Sequence, residues 1–111
     1  MAREVQFVNK LSPTDRYRHW HRAEKGRILK FTVQYETLIG EKWYPVVRHD
    51  TAHGFVHKDL MHPGKRQEKI FIKVKDFNSG LPRAEEDLQE NWKTYKEFFM
   101  KEWQRYENKI E

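Results

Sequence analysis

The sequence predicts an α+β fold: a small antiparallel β-sheet of three to four strands packed on one long C-terminal amphipathic helix, with a short basic helix or turn near the N-terminus. Three observations carry this expectation. Residues 28 to 38, "ILKFTVQYETL", set Phe31, Val33 and Tyr35 against Lys30, Thr32, Gln34 and Glu36, the period-two pattern of a strand with one wet face. Gly40 in the following "IGEK" supplies a tight turn into the β-prone "WYPVVRH", so residues 28 to 49 read as a hairpin. From Leu88 onward the large apolar residues recur at steps of three and four, the period of a helix.

Taken in chain order, "VQFV" near the start is a candidate strand. Residues 11 to 27, "LSPTDRYRHWHRAEKGR", begin like a helix, with Ser12 as cap, Pro13 at the first helical position and Asp15 two further on. The β-hairpin follows, with Pro45 placed at an edge or a bulge because it lacks an amide donor. "KIFIKVK", residues 69 to 75, alternates again and adds a strand. After the turn formers "DFNSGLPR", a helix from about 83 to 108 would be roughly 38 Å long. Pro82 stands near its start and Glu85, Glu86 and Asp87 crowd its first turn, favouring the positive end of the helix dipole. Its stripe of Leu88, Trp92, Tyr95, Phe99, Trp103 (or Phe98), Tyr106 and Ile110 reads as core. The C-terminal third, longer than a small sheet requires, either projects or meets another subunit, which predicts a homodimer through the helix.

At 111 residues the chain fits one domain, divided into a basic N-terminal segment (1–27), a β-sheet (28–75) and the helix. Its 22 Lys+Arg against 17 Asp+Glu leave a net charge of +5, which favours an anionic partner, nucleic acid first. The absence of cysteine excludes disulfides, thiolate zinc sites and a thiol nucleophile. No stretch approaches the length of about 18 apolar residues that spans a bilayer, and "MAREVQFVNK" has no apolar signal core, so a soluble cytoplasmic protein without membrane contact is expected.

Two stretches suggest chemistry. The first interleaves Arg16, Arg18, Arg22, Lys25 and Arg27 with Tyr17, His19, Trp20 and His21, a mixture that can pair with phosphates and stack on bases. Arg16, Arg18, Trp20, Arg22, Lys25 and Arg27 are the candidate nucleic-acid contacts; a solvated face with Tyr17 and Trp20 packed inward is the plainer alternative. The second is "RHDTAHGFVHKDLMH", residues 48 to 62, which holds four of the six histidines around Gly54. Fully extended, His53 and His57 would sit roughly 13 Å apart, so any shared chemistry requires the chain to bend at Gly54. A loop or bulge between strands is expected here. Metal-free RNA cleavage needs a base for the 2′-OH, an acid for the leaving oxygen and a cation for the phosphorane. His53 and His57 can carry the protons, Arg48 the fixed charge, and Asp50 can orient an imidazole. The plain reading gives Asp50 and Thr51 a turn-capping role and makes the histidines structural.

"RHDTAHGFVHKD" resembles the arginine-x-aspartate, histidine-glycine-x-x-histidine signature of small prokaryotic proteins classed with the TumE-type toxins of toxin–antitoxin pairs. It is more similar to a family of uncharacterised small prokaryotic proteins, in which arginine-tyrosine-aspartate-threonine-alanine-histidine-glycine precedes a histidine and a His-Pro-Asp-Gly turn. That likeness runs from about residue 27 to the end of the helix and takes in "LIGEKWYPVVR", "LMHPGK" and "DLQENW". The signature positions are Arg48, Asp50, His53, Gly54 and His57. His49 replaces an aromatic, while Thr51 and Asp59 replace an asparagine and a histidine of the toxin pattern. The resemblance implies a compact α+β fold, RNA cleavage and an antitoxin partner.

Three functional readings therefore stand. The first is an RNA-directed protein, RNA rather than DNA, acting as a metal-independent, toxin-like endoribonuclease through Arg48, Asp50, His53 and His57, with no cofactor. The second is a non-catalytic nucleic-acid or protein-binding module with structural histidines. The third is a His/Asp metal protein using Asp50 or Asp59 with His53, His57 and His62.

Overall fold

The computed structural model describes residues 2–110. Six strands, β1 (Arg3–Ser12), β2 (Asp15–Glu24), β3 (Arg27–Ile39), β4 (Lys42–Asp50), β5 (His57–Leu60) and β6 (Glu68–Phe71), precede one helix, α1 (Phe77–Ile110). Every strand pairs antiparallel with the next, giving the meander order β1-β2-β3-β4-β5-β6. The class is α+β as the sequence predicts, with six strands rather than three to four.

β1 contains the candidate strand "VQFV", and the two further strands are β2, which replaces the expected basic helix or turn, and β5, which lies in the segment expected as a loop. Ser12 caps no helix: its hydroxyl donates to Asp15 at 2.6 Å and accepts from the Thr14 amide at 3.1 Å, holding a two-residue Pro13–Thr14 turn. Residues 15 to 22 alternate. Asp15, Tyr17 and His19 are buried beneath α1, while Arg16, Arg18, Trp20 and Arg22 share the opposite face. Counting His19 and His21 among the basic residues hides this period, because His19 in fact points inward. The β2–β3 turn is Lys25–Gly26, both with positive φ (51° and 77°), as a two-residue hairpin turn of primed type requires.

Pro45 lies at a bulge, since Glu36 pairs with Pro45 and Tyr35 with Val47, leaving Val46 as the extra residue. The segment expected as a loop supplies the end of β4, a one-turn 3-10 helix (Ala52–Gly54) and all of β5. The strand expected over 69 to 75 stops at Phe71.

Helix α1 starts six residues earlier than the sequence suggested. Asp76 is its cap, its carboxylate accepting from the Ser79 amide at 2.8 Å. Burial decides the boundary, because Leu81 enters the core and Phe77 packs edge-on against Phe31 at 6.1 Å between ring centres. Gly80 allows that approach: a Cβ there would meet Val56 Cγ2 at 3.2 Å. Pro82 consequently sits inside the helix, and Glu85, Glu86 and Asp87 fall beyond the first turn. Leu88 and Phe99 are core residues, with Trp92, Tyr95 and Trp103 packed partly buried around them. Phe98, the alternative stripe position, is exposed. The 34 residues of α1 amount to about 51 Å at 1.5 Å each, against a long molecular axis of 52 Å. Its C-terminal third does not stand free: Trp103 packs on Tyr44 at 4.6 Å and the Tyr106 ring lies over Gly64. The length that suggested a helix-mediated dimer is thus taken up within the protomer down to Tyr106.

Three polar clusters are set into the seam between sheet and helix. Asp15 accepts from Tyr35 at 2.6 Å and from Lys96 at 2.9 Å. Tyr17 donates to Glu85 at 3.0 Å and accepts from Asn9 and Gln89, both at 3.0 Å. His49 meets Asp87 at 2.8 Å, Tyr95 donates to the same carboxylate at 2.8 Å, and Lys58 donates to Tyr95 at 3.1 Å. Burial alone would raise the Asp15 and Asp87 carboxyls. Hydrogen bonds from Ser12, Tyr35, Lys96 and Thr14 to the one, and from His49, Tyr95 and Asn91 to the other, outweigh it and hold both at about 2. The phenols of Tyr35 and Tyr95 are raised by burial and by the carboxylates they donate to.

Because both carboxyls titrate below their ordinary 3.8, the stability they contribute is complete above about pH 4 and disappears as pH falls toward 2. Melting temperatures taken from pH 5 to pH 2 should therefore drop steeply over that window, and less steeply in Asp15→Asn. Gly64 has φ +70° and a Cβ there would lie 2.6 Å from the Tyr106 ring, so Gly64→Ala should destabilise by about 1–3 kcal/mol in denaturant unfolding.

Candidate nucleic-acid interface and histidine cluster

Residues directly opposite one another in an antiparallel pair project from the same face, so the strand registers define rows that cross the whole sheet. One row reads Val8, Arg18, Gln34, Arg48, Asp59 and Lys69. The next reads Gln6, Trp20, Thr32, Asp50, His57 and Phe71. Both lie on the face opposite Tyr17, Val33, Tyr35 and Val47, the face that α1 covers. The open face therefore brings together Arg18, Trp20, Arg48, Asp50 and His57 from three strands.

A hydrogen-bonded chain fixes part of this surface. Arg16 Nε donates to Glu36 at 2.8 Å, Gln34 donates to the other Glu36 oxygen at 2.7 Å, and Arg48 Nε donates to Gln34 at 2.7 Å. Arg16 also lies 3.9 Å from the centre of the Trp43 ring. Arg16 is thus already neutralised, whereas Arg18 and Arg22 are exposed. Lys25 and Arg27 stand apart at the β2–β3 turn, which Asn78 clamps to the start of α1 through Gly26 O at 2.9 Å and the Ile28 amide at 2.8 Å.

The histidine cluster closes the β4–β5 end of the open face. Thr51 bonds the Phe31 amide at 3.0 Å, and Asp50 accepts from the Ala52 amide at 2.7 Å. Asp50 therefore caps the turn, as the plain reading expects, whereas the Thr51 hydroxyl caps nothing and instead ties the end of β4 to the β3 backbone at Phe31. The chain then reverses through His53 (φ 71°) and Gly54 (φ 85°). Left-handed backbone is ordinary for glycine and carries a modest cost for histidine. The turn lays the His53 ring roughly parallel to that of His57, 6.5 Å between centres. His53 is exposed; His57 is 2% exposed, with Phe55 at 5.7 Å over it. Phe55 in turn touches Phe71 at 5.5 Å.

The carboxylate facing the His57 ring is Asp59, 3.7 Å from Nε2, not Asp50. His57 Nδ1 and Asp59 Oδ1 are both buried with no hydrogen-bond partner, an arrangement that leaves polar capacity unspent at this point of the sheet. Asp59 is legible once β5 is recognised, since it follows His57 by two residues and shares its face. The polar face of Gln34 is legible, but its place beside Arg48, and that of Phe71 beside His57, emerge only from register, and Phe55 only from the turn.

His62 belongs elsewhere. Its Nδ1 lies 2.8 Å from Glu102 of α1, on the covered side, so the set Asp50, His53, His57 and His62 is not assembled. Among the described residues no group of three His, Asp or Glu side chains is arranged to hold a metal ion. His49, the residue in place of an aromatic, also faces the helix, through Asp87.

Replacing His53 by glycine removes a left-handed side chain and should stabilise the fold by roughly 1 kcal/mol in denaturant unfolding, even though it deletes an imidazole.

No described helix is long and apolar enough to cross a membrane. Neither a curated protein nor a solved structure matches the chain. A family model does: residues 2–105 match the domain of unknown function DUF7718, which takes in all six strands and most of α1. The chain belongs to that family.

Proposed function

We propose that the protein acts on RNA, binding the phosphodiester chain along the open sheet face and cleaving it without metal at the His53–His57 end. The carrying observation is the cross-strand alignment that sets Arg18, Trp20 and Arg48 on the face opposite α1, the face to which the buried His57 also points, beside the turn that stacks His53 on it. Arg18 and Arg22 supply phosphate contacts and Trp20 a stacking surface. Arg48, held through Nε by Gln34, offers its remaining guanidinium nitrogens to a phosphoryl oxygen.

The reaction needs no outside reagent. His53 takes the proton of the 2′-OH as that oxygen bonds to phosphorus. His57, paired with Asp59, gives a proton to the 5′-oxygen as the P–O5′ bond breaks. The products are a 2′,3′-cyclic phosphate and a 5′-hydroxyl, and Arg48 offsets the charge of the phosphorane between them. The 2′-OH requirement selects RNA over DNA. Substrate reaches His57 only when Phe55 swings off its ring. The likeness of the signature to TumE-type toxins supports an antitoxin as protein partner.

The near-complete burial of His57 and the capping role of Asp50 favour a second reading, a binding module with structural histidines. Incubating RNA with the protein in EDTA separates the two. The proposal expects 2′,3′-cyclic phosphate ends and a loss of about 10²- to 10⁴-fold in rate in His53→Ala. Equal cleavage by wild type and variant, or none by either, removes the enzyme. Under both readings Arg18→Ala should lower the slope of log affinity against log salt by about 0.7 for single strands.

A further inference from the structure

We infer that β1 is the docking edge for a second copy of this chain, the two β1 strands running antiparallel about a two-fold axis at Phe7 to form one continuous sheet. The two outer strands of the meander are built differently. β6 has four residues and is flanked by Lys65, Lys73 and Lys75, the short and lysine-rich form by which sheet edges avoid pairing. β1 has ten residues with no proline, and its outward N–H and C=O groups have no strand beside them. α1 packs over β3 and β4 rather than over this edge. Phe7 and Val8 are 43% and 52% exposed on it.

Charge selects the partner and the register. Centring the pair on Phe7 sets Glu4 opposite Lys10 of the second copy, twice by symmetry, with Gln6 opposite Val8, Val5 opposite Asn9 and Phe7 opposite itself. Shifting the axis one residue either way breaks both ion pairs. Lys10 lacks such a partner within the protomer: its cross-strand neighbour is Arg16, a like charge. Among the described residues neither Glu4 nor Lys10 forms an ion pair. In this arrangement the two open faces lie on the same side of a twelve-stranded sheet, with the β5 strands about 43 Å apart at nine inter-strand spacings.

Light scattering across a concentration series tests the state, and a charge swap tests the surface. Wild type should show twice the 13.7 kDa chain mass. Lys10→Glu or Glu4→Lys alone, each setting like charges opposite one another, should weaken dimerisation about tenfold, and the double variant should restore it. Circular dichroism melts confirm that each variant folds. Register is read by oxidation: the chain has no cysteine, so Phe7→Cys should cross-link to itself, whereas Val5→Cys or Asn9→Cys should not. A monomer at every concentration overturns the inference. So does a dimer indifferent to the charge variants, or one dissociated only by Phe98→Glu on the helix.

Discussion

A six-stranded sheet has two faces and the described residues supply one α-helix, so the two-residue alternation of each strand must sort the side chains into those that α1 buries and those it leaves uncovered. The meander makes that sorting collective. Because each strand pairs with its sequence neighbour, a register fixed at one hairpin carries into the next, and residues far apart in sequence fall into shared rows. Arg18, Gln34, Arg48 and Asp59 are neighbours for this reason alone. A slip of one residue in β4 would carry Arg48 under the helix and expose Val47, so burial of Val47 and Tyr35 keeps the open face in place.

The seam beneath α1 is less apolar than such a seam usually is. Asp15, His19, His49 and Thr37 are buried there beside Phe31, Val33 and Leu88. Burial pushes the His19 imidazole below its ordinary value, and Glu85 at 3.3 Å pulls the other way. Directional bonds of this kind allow few alternatives in how the helix lies on the sheet, because each displaced partner would leave a buried polar group unpaired. A chain whose hydrophobic fraction is modest gains from them a unique seating for α1.

The hairpin at residues 28 to 49 and the existence of the long helix were legible because their apolar residues are unambiguous. β2 was not. Its inward positions are Asp15, Tyr17 and His19, and polar inward residues mask a period that is present in the chain. The start of α1 was hidden by Pro82 and by Gly80, whose value lies in its contact with Val56 and so depends on tertiary structure. In the histidine cluster local sequence shows only that Gly54 permits a bend; the approach of His53 to His57 depends on the left-handed backbone that both His53 and Gly54 adopt. The choice of Asp59 over Asp50 as the facing carboxylate depends on where β5 begins, and the departure of His62 depends on Glu102, forty residues away.

The sorting of residues between two faces is the claim from which the functional account follows, and one spectrum addresses it. In an NMR titration of the labelled protein with a single-stranded RNA oligonucleotide, the account predicts perturbations at Arg18, Trp20, Thr32, Gln34, Arg48 and His53, spreading along the open face. Perturbations centred on the exposed side of α1, or none at all at low salt, would contradict it.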